Sequence, residues 1–209
     1  VELPDAQLPV KGMGDWAIVS TSKPYSLSSM WEGRTRADYY KVSLATGERT
    51  LISEADYANY RLSSTGKYAG TYNATDSCWY TINLADNRKI QLTTPQTFPA
   101  WDEDNDVPNY PSPHGMAGWA KGDAALLIYD RYDIWSFDPE GKKAPVRLTK
   151  NGRENQVTYR RIVLDREQMD IDLKEPMLMT GFNEVDKSTA VYRSRLIAPA
   201  TPTLLAGGT

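Results

Sequence analysis

A single unit recurs along this chain: an aromatic-rich strand, a tight polar turn, and a second strand that closes on Leu-Thr or a similar pair. It runs over residues 39–52, 79–93 and 134–149, with a partial copy at 191–196. Tyr40, Tyr80, Trp135 and Tyr192 hold equivalent positions, 40, 55 and 57 residues apart. Before each turn the chain alternates, as in Tyr40, Val42 and Leu44 against Lys41 and Ser43. That is the period of a strand with two unlike faces. Thr46-Gly47, Asp86-Asn87 and Glu140-Gly141 place a residue tolerant of positive φ where a hairpin turn needs one. A second pattern lies upstream of the first. It contains Gly66 in Ser63-Ser64-Thr65-Gly66-Lys67-Tyr68 and Gly122 in Trp119-Ala120-Lys121-Gly122-Asp123, 56 residues apart, and Gly14-Asp15-Trp16 opens a third copy.

Each unit is therefore a four-stranded antiparallel meander, with strands A to D in chain order. The units span 12–52, 56–93, 114–149 and 157–206, the first without its own strand A. Repeats of this kind predict an all-β chain folded as a β-propeller, whose rings usually hold about 4–8 blades. A β-sandwich gives no reason for both turns to repeat in phase. A closed four-bladed ring is one solution. Part of a seven- or eight-bladed ring accounts better for the incomplete first unit and for the tail 198–205, which reads as a final strand D. Val42, Leu44, Ile82, Leu84, Leu126, Ile128 and Phe137 are expected between neighbouring blades or within a sheet core. An open array would expose the flanks of its end blades, which predicts a homodimer through those flanks.

Composition excludes several classes. With 24 Lys+Arg against 27 Asp+Glu the net charge is −3, and no basic block suggests nucleic acid. The longest apolar run, Ala124-Ala125-Leu126-Leu127-Ile128-Tyr129, is far short of the roughly 20 residues of a membrane span. Cys78 is the only cysteine and His114 the only histidine, so neither a disulfide framework nor a cysteine or multi-histidine metal site is expected, and no cofactor is implied. The chain opens on Val1 without an initiating Met and is expected to be a processed or excised part of a longer protein.

Neighbouring strands of a meander run in opposite directions. The A–B and C–D turns therefore share one face, and the B–C loops and D–A connections share the other. Short turns at 45–48, 63–66, 120–123 and 138–142 fall on the first face. Longer segments at 21–37, 72–77, 94–114 and 181–189 fall on the second, and 165–175 is a long A–B exception. Function concentrates on loops held by a rigid scaffold, so the second face is the expected binding surface. Its sharpest feature is the acidic run Asp102-Glu103-Asp104-Asn105-Asp106. Asp102, Asp104 and Asp106 keep the 1-3-5 spacing of a calcium loop, but Val107 stands where the Gly belongs and Pro113 where the bidentate Glu belongs. The run reads as a solvated loop that caps its own turns, or as a surface that captures a cationic group through Asp102, Glu103, Asp104 and Asp106. Arg131 falls at a B–C turn in Tyr129-Asp130-Arg131-Tyr132-Asp133. It either contacts ligand or forms an ion pair with a neighbouring Asp that fixes the turn.

Serine hydrolases present their nucleophile on a sharp turn, often within Gly-x-Ser-x-Gly. Only Gly66–Gly70 and Gly118–Gly122 have that spacing, and Tyr68 and Ala120 stand at their centres. No nucleophile elbow is present, and His114 reads as a loop histidine near a strand start. No catalytic residue is assigned.

The strings Phe98-Pro99-Ala100-Trp101-Asp102-Glu103-Asp104-Asn105-Asp106-Val107-Pro108, Gly118-Trp119-Ala120-Lys121-Gly122-Asp123 and Ile128-Tyr129-Asp130-Arg131-Tyr132-Asp133-Ile134-Trp135-Ser136-Phe137-Asp138-Pro139 resemble the propeller region of bacterial serine peptidases of the prolyl oligopeptidase family, including its dipeptidyl peptidase IV-like members. The resemblance covers roughly 95–195 and extends beyond it only through the blade pattern. It implies a non-catalytic propeller that gates or helps bind peptide substrates for an α/β-hydrolase domain, here absent, in a secreted or periplasmic parent. The paired propeller glutamates that bind the substrate amino terminus in dipeptidyl peptidase IV-like members have no match here, so residues 102–106 do not inherit that role. The alternative is a free-standing TolB-like periplasmic propeller that binds a protein or ligand.

Overall fold

The computed structural model describes residues 14–207. Its strands form four separate antiparallel sheets, each a meander. The first holds β1 (Trp16–Thr21), β2 (Ala37–Ser43) and β3 (Arg49–Asp56). The second holds β4 (Arg61–Leu62), β5 (Tyr68–Asn73), β6 (Cys78–Asn83) and β7 (Lys89–Gln91). The third holds β8 (Met116–Trp119), β9 (Leu126–Tyr129), β10 (Ile134–Phe137) and β11 (Val146–Arg147). The fourth holds β12 (Val157–Arg161), β13 (Pro176–Asn183), β14 (Thr189–Arg195) and β15 (Thr203–Gly207). Among the described residues the first sheet has three strands. The predicted turn residues Gly47, Asn87 and Gly141 all adopt positive φ, at 70°, 61° and 65°.

The blades pack in a row. Ile18, Tyr60, Leu62, Ala69, Ile82 and Leu84 fill the space between the first two sheets. Tyr68, Trp79, Phe98, Trp119, Leu126 and Phe137 join the second to the third. Leu127, Ile134, Tyr159, Met177, Met179 and Leu196 join the third to the fourth. No such cluster of described residues joins the fourth to the first. Polar ties reinforce the row. Asp123, in the β8–β9 turn, accepts hydrogen bonds from Ser63 Oγ (2.7 Å), Ser64 Oγ (2.9 Å), the Thr65 N–H (3.1 Å) and the Thr65 hydroxyl, all in the β4–β5 turn. Burial works to raise the Asp123 pKa, but these donors outweigh it and hold the carboxyl below its ordinary value.

Ile82, Leu84, Leu126, Ile128 and Phe137 are buried as expected. Val42 is only half-buried and Leu44 is 56% exposed. The reason is strand parity. Lys41 and Tyr39 turn toward the second sheet, where Lys41 Nζ donates to the Leu84 carbonyl at 2.5 Å and lies 4.4 Å from the Trp16 ring centre. Tyr40, Val42 and Leu44 therefore face the opposite side, away from the second sheet. Two of the long B–C segments expected on the loop face are also shorter than the sequence predicts. Residues 74–77 and 184–188 are tight hairpin turns, each opened by an Asn whose side-chain oxygen accepts the N–H two residues on, Thr75 or Val185, at 2.8 Å.

Candidate functional site

Two connections dominate the face that carries the B–C loops. Residues 22–36 link β1 to β2 and contain the short helix α1 (Ser26–Glu32). Residues 92–115 link β7 to β8 and carry the acidic run. The base of that second loop is clamped. Trp101 and Pro113 form a β-bridge, the Asp102 N–H donates to the Ser112 carbonyl at 2.8 Å, and the His114 N–H donates to the Ala100 carbonyl at 2.9 Å. Its far end meets the first sheet's loops, where Arg34 Nη2 donates to the Tyr110 carbonyl at 2.5 Å.

The acidic run divides. Asp102 Oδ1 accepts the Asp104 N–H at 3.2 Å, a turn-capping role. Glu103 lies 3.9 Å from Arg153 Nη2, and Asp104 pairs with Arg131 Nη2 at 2.8 Å. Asp106 is exposed and makes no hydrogen bond or ion pair with another described residue. Among the described residues no three acidic, His or Cys side chains converge on a point that could hold a metal ion.

Arg131 does occupy the β9–β10 turn, but its partners are not Asp130 or Asp133. Besides Asp104 it grips Glu184 of the fourth blade, with Nε to Oε1 at 3.1 Å and Nη2 to Oε2 at 3.0 Å. The Tyr132 hydroxyl donates to Glu184 Oε2 at 2.9 Å. Burial works to raise the Glu184 pKa, and the bonds from Arg131 and Tyr132 overcome it, so the carboxyl sits below its ordinary value. The Glu184 carboxylate, and after it Asp104, pushes the Arg131 guanidinium pKa up.

The two flanking aspartates serve the turn. Asp130 Oδ1 accepts the Tyr132 N–H at 2.8 Å and the Asp133 N–H at 2.6 Å, while Oδ2 accepts Trp135 Nε1 at 3.1 Å. Asp133 is fully enclosed and accepts from the Thr149 hydroxyl (2.8 Å), Arg147 Nη2 (2.6 Å) and the Arg153 N–H (3.2 Å). Its burial nonetheless raises its pKa. Arg160 Nη2 caps the turn from beneath, donating to the Arg131 carbonyl at 3.0 Å. The arrangement is a lattice of matched charges that fixes loop shape, with Asp102 and Asp106 least engaged by cations.

His114 lies at the end of the 92–115 connection. Its Nε2 is enclosed without a hydrogen-bond partner, and burial, helped by Arg160, lowers its pKa.

No protein-family model matches the sequence, and no curated protein matches it. Solved β-propellers do match the fold. TolB from Acinetobacter baumannii gives a TM-score of 0.51 at 13% identity, covering 93% of this chain and 41% of TolB. A structure from a study of two prolyl endopeptidases gives 0.53 at 10% identity, covering 95% of this chain and 29% of that one. The chain thus spans less than half the length of either. These likenesses establish the β-propeller fold and nothing finer.

Glu184, Arg147, Arg153 and Arg160 escape a reading of the sequence. Arg147 and Arg160 sit in ordinary strands, Arg153 in the single helical turn Gly152–Asn155 and Glu184 in a hairpin turn, and Glu184 is 53 residues from Arg131. No local motif announces such a partner.

Proposed function

We propose that the chain is a non-catalytic propeller portion of a serine peptidase resembling the prolyl oligopeptidase family, which gates or helps bind peptides for a hydrolase domain carried elsewhere in the parent protein. One spatial observation carries this reading. The strings that resemble that family form one joined unit, the third blade with the 92–115 loop that leads into it latched back through Asp104 and Arg131. In this reading the loop face meets the peptide. Asp102 and Asp106 offer charge to its cationic groups, Glu103 and Asp104 hold the loop, and Arg131 anchors it. The same resemblance makes the parent secreted or periplasmic. No helix among the described residues is long and apolar enough to cross a membrane.

The likeness to TolB favours a second reading, a free-standing binding propeller in the periplasm. Labelling the native, full-length polypeptide with a fluorophosphonate separates the two. The peptidase reading expects one labelled serine, outside residues 1–209. An unlabelled native polypeptide with no further folded domain would reject it in favour of the second.

A further inference from the structure

The one long A–B connection, 162–175, takes no part in the loop-face lattice. Ile171 donates its N–H to the Trp119 carbonyl at 2.8 Å, and its own carbonyl accepts the Lys121 N–H at 2.9 Å. This lays the connection back against β8. Gln168 and Met169 thereby become one wall of a cavity of about 490 Å³ that runs along strands β4, β8 and β12. Arg61, Tyr72 and Trp79 of the second blade line it too, with Met116 and Trp119 of β8. The volume falls within the usual range for small-molecule sites.

The wall is chemically one-sided. It holds two arginines, Arg61 and Arg161, and no Asp or Glu, in a chain whose net charge is −3. Arg161 is already engaged by the Ala117 carbonyl at 3.1 Å and Gln168 Oε1 at 3.4 Å. The Arg61 guanidinium is exposed and has no hydrogen bond or ion pair with any described residue. Two further residues of the wall carry stranded polar groups. The Trp79 Nε1 and the Tyr72 hydroxyl are enclosed without partners, in residues only 4% and 6% exposed. Trp119 Nε1, by contrast, donates to the Arg61 carbonyl at 3.3 Å. Ser77 opposes the rise that burial imposes on the Tyr72 pKa, but the pair lacks hydrogen-bond geometry. Buried polar groups are normally paired, so two unpaired ones in residues that line the same cavity as the free Arg61 guanidinium point to a missing acceptor.

We propose that this cavity binds a small carboxylate bearing an apolar or aromatic group, with the anion toward Arg61 and the stranded donors and the apolar body against Met116, Trp119 and Met169. The assignment does not depend on the peptidase reading. A cationic ligand would meet two arginines and no counter-charge there.

Isothermal titration of the intact chain tests it, using N-acetyl-L-phenylalanine, its primary amide and N-acetylglycine as probes. The aromatic acid is expected to bind at least about tenfold more tightly than either control. Arg61→Ala alters an exposed side chain, so the fold is not at stake, and it should weaken the acid by about tenfold or more while leaving the amide unchanged. Tyr72→Phe keeps the ring and loses the hydroxyl, and should weaken the acid several-fold; Trp79→Phe, which loses the N–H but also shrinks the ring, repeats that test if Tyr72→Phe lowers the melting temperature. Equal affinity for acid and amide, an acid affinity indifferent to Arg61→Ala, or no heat from any probe at millimolar concentration would each overturn the proposal.

Discussion

Glu184 ties two blades through side chains alone. It receives Arg131 at 3.1 and 3.0 Å and the Tyr132 hydroxyl at 2.9 Å while mostly shielded from water, its side chain 23% exposed. Glu184→Gln keeps the shape and removes the charge. It is expected to lower stability at pH 7 by about 1.5–3 kcal/mol, the usual worth of hydrogen bonds to a charged group. The pH dependence has a definite sign. Folding depresses the Glu184 pKa below its ordinary 4.5, so its contribution is complete above that value and fades as pH falls through the folded pKa. Denaturation curves of the two proteins should therefore differ at pH 7 and converge on acidification; a gap that stays constant would contradict the assignment. His114 supports a second expectation. Its Nε2 is enclosed and unpartnered and the sequence holds no Gly-x-Ser-x-Gly string, so the isolated chain is expected to remain unlabelled by a serine-directed phosphonate. Stoichiometric labelling of any serine in it would refute this.

At the scale of single strands, β2 and β6 are repeats of one another with opposite fates. The positions of Ile82 and Leu84 are buried against the first sheet, while their counterparts Val42 and Leu44 look away from the second. Ile82→Ala should cost about 2–5 kcal/mol in a denaturant titration. Leu44→Ala should stay within about 0.5 kcal/mol, as exposed substitutions do; the reverse ranking would mean the register is wrong. This contrast also marks how far the sequence could be read. Alternation and turn residues suffice to place Tyr40, Gly47 and Asn87 in hairpins, because those signals are local. Which side of β2 gains a neighbour is decided by other blades, and both sides of the repeat are apolar enough to serve. Residues 72–77 and 181–189 read as long loops because strand ends merge into Asx turns without a change of composition. The Arg131–Glu184 pair and the cavity behind 162–175 depend on residues brought together across blades, and only the unusual length of that one connection hinted at the second.

At the scale of the whole molecule, the outer side of the fourth sheet offers Phe182, 39% exposed, with Leu178 and Val191 half-buried beside it. Such a surface favours self-association, and light scattering over a concentration series should show a dimer that Phe182→Glu shifts toward monomer. A monomer at every concentration would reject this. The row of three core clusters has another result. Each cluster is shared by two adjacent blades only, so cohesion passes from neighbour to neighbour as in other repeat arrays. A terminal blade can then detach while those behind it keep their own partner, and melting proceeds inward from the ends rather than in one step. Native-state hydrogen exchange should record this as a gradient. Backbone amides of Leu127 and Ile128, with packed blades on both sides, should exchange most slowly of all, and those of β2 and β14 should open at a lower free energy, each with its own end blade.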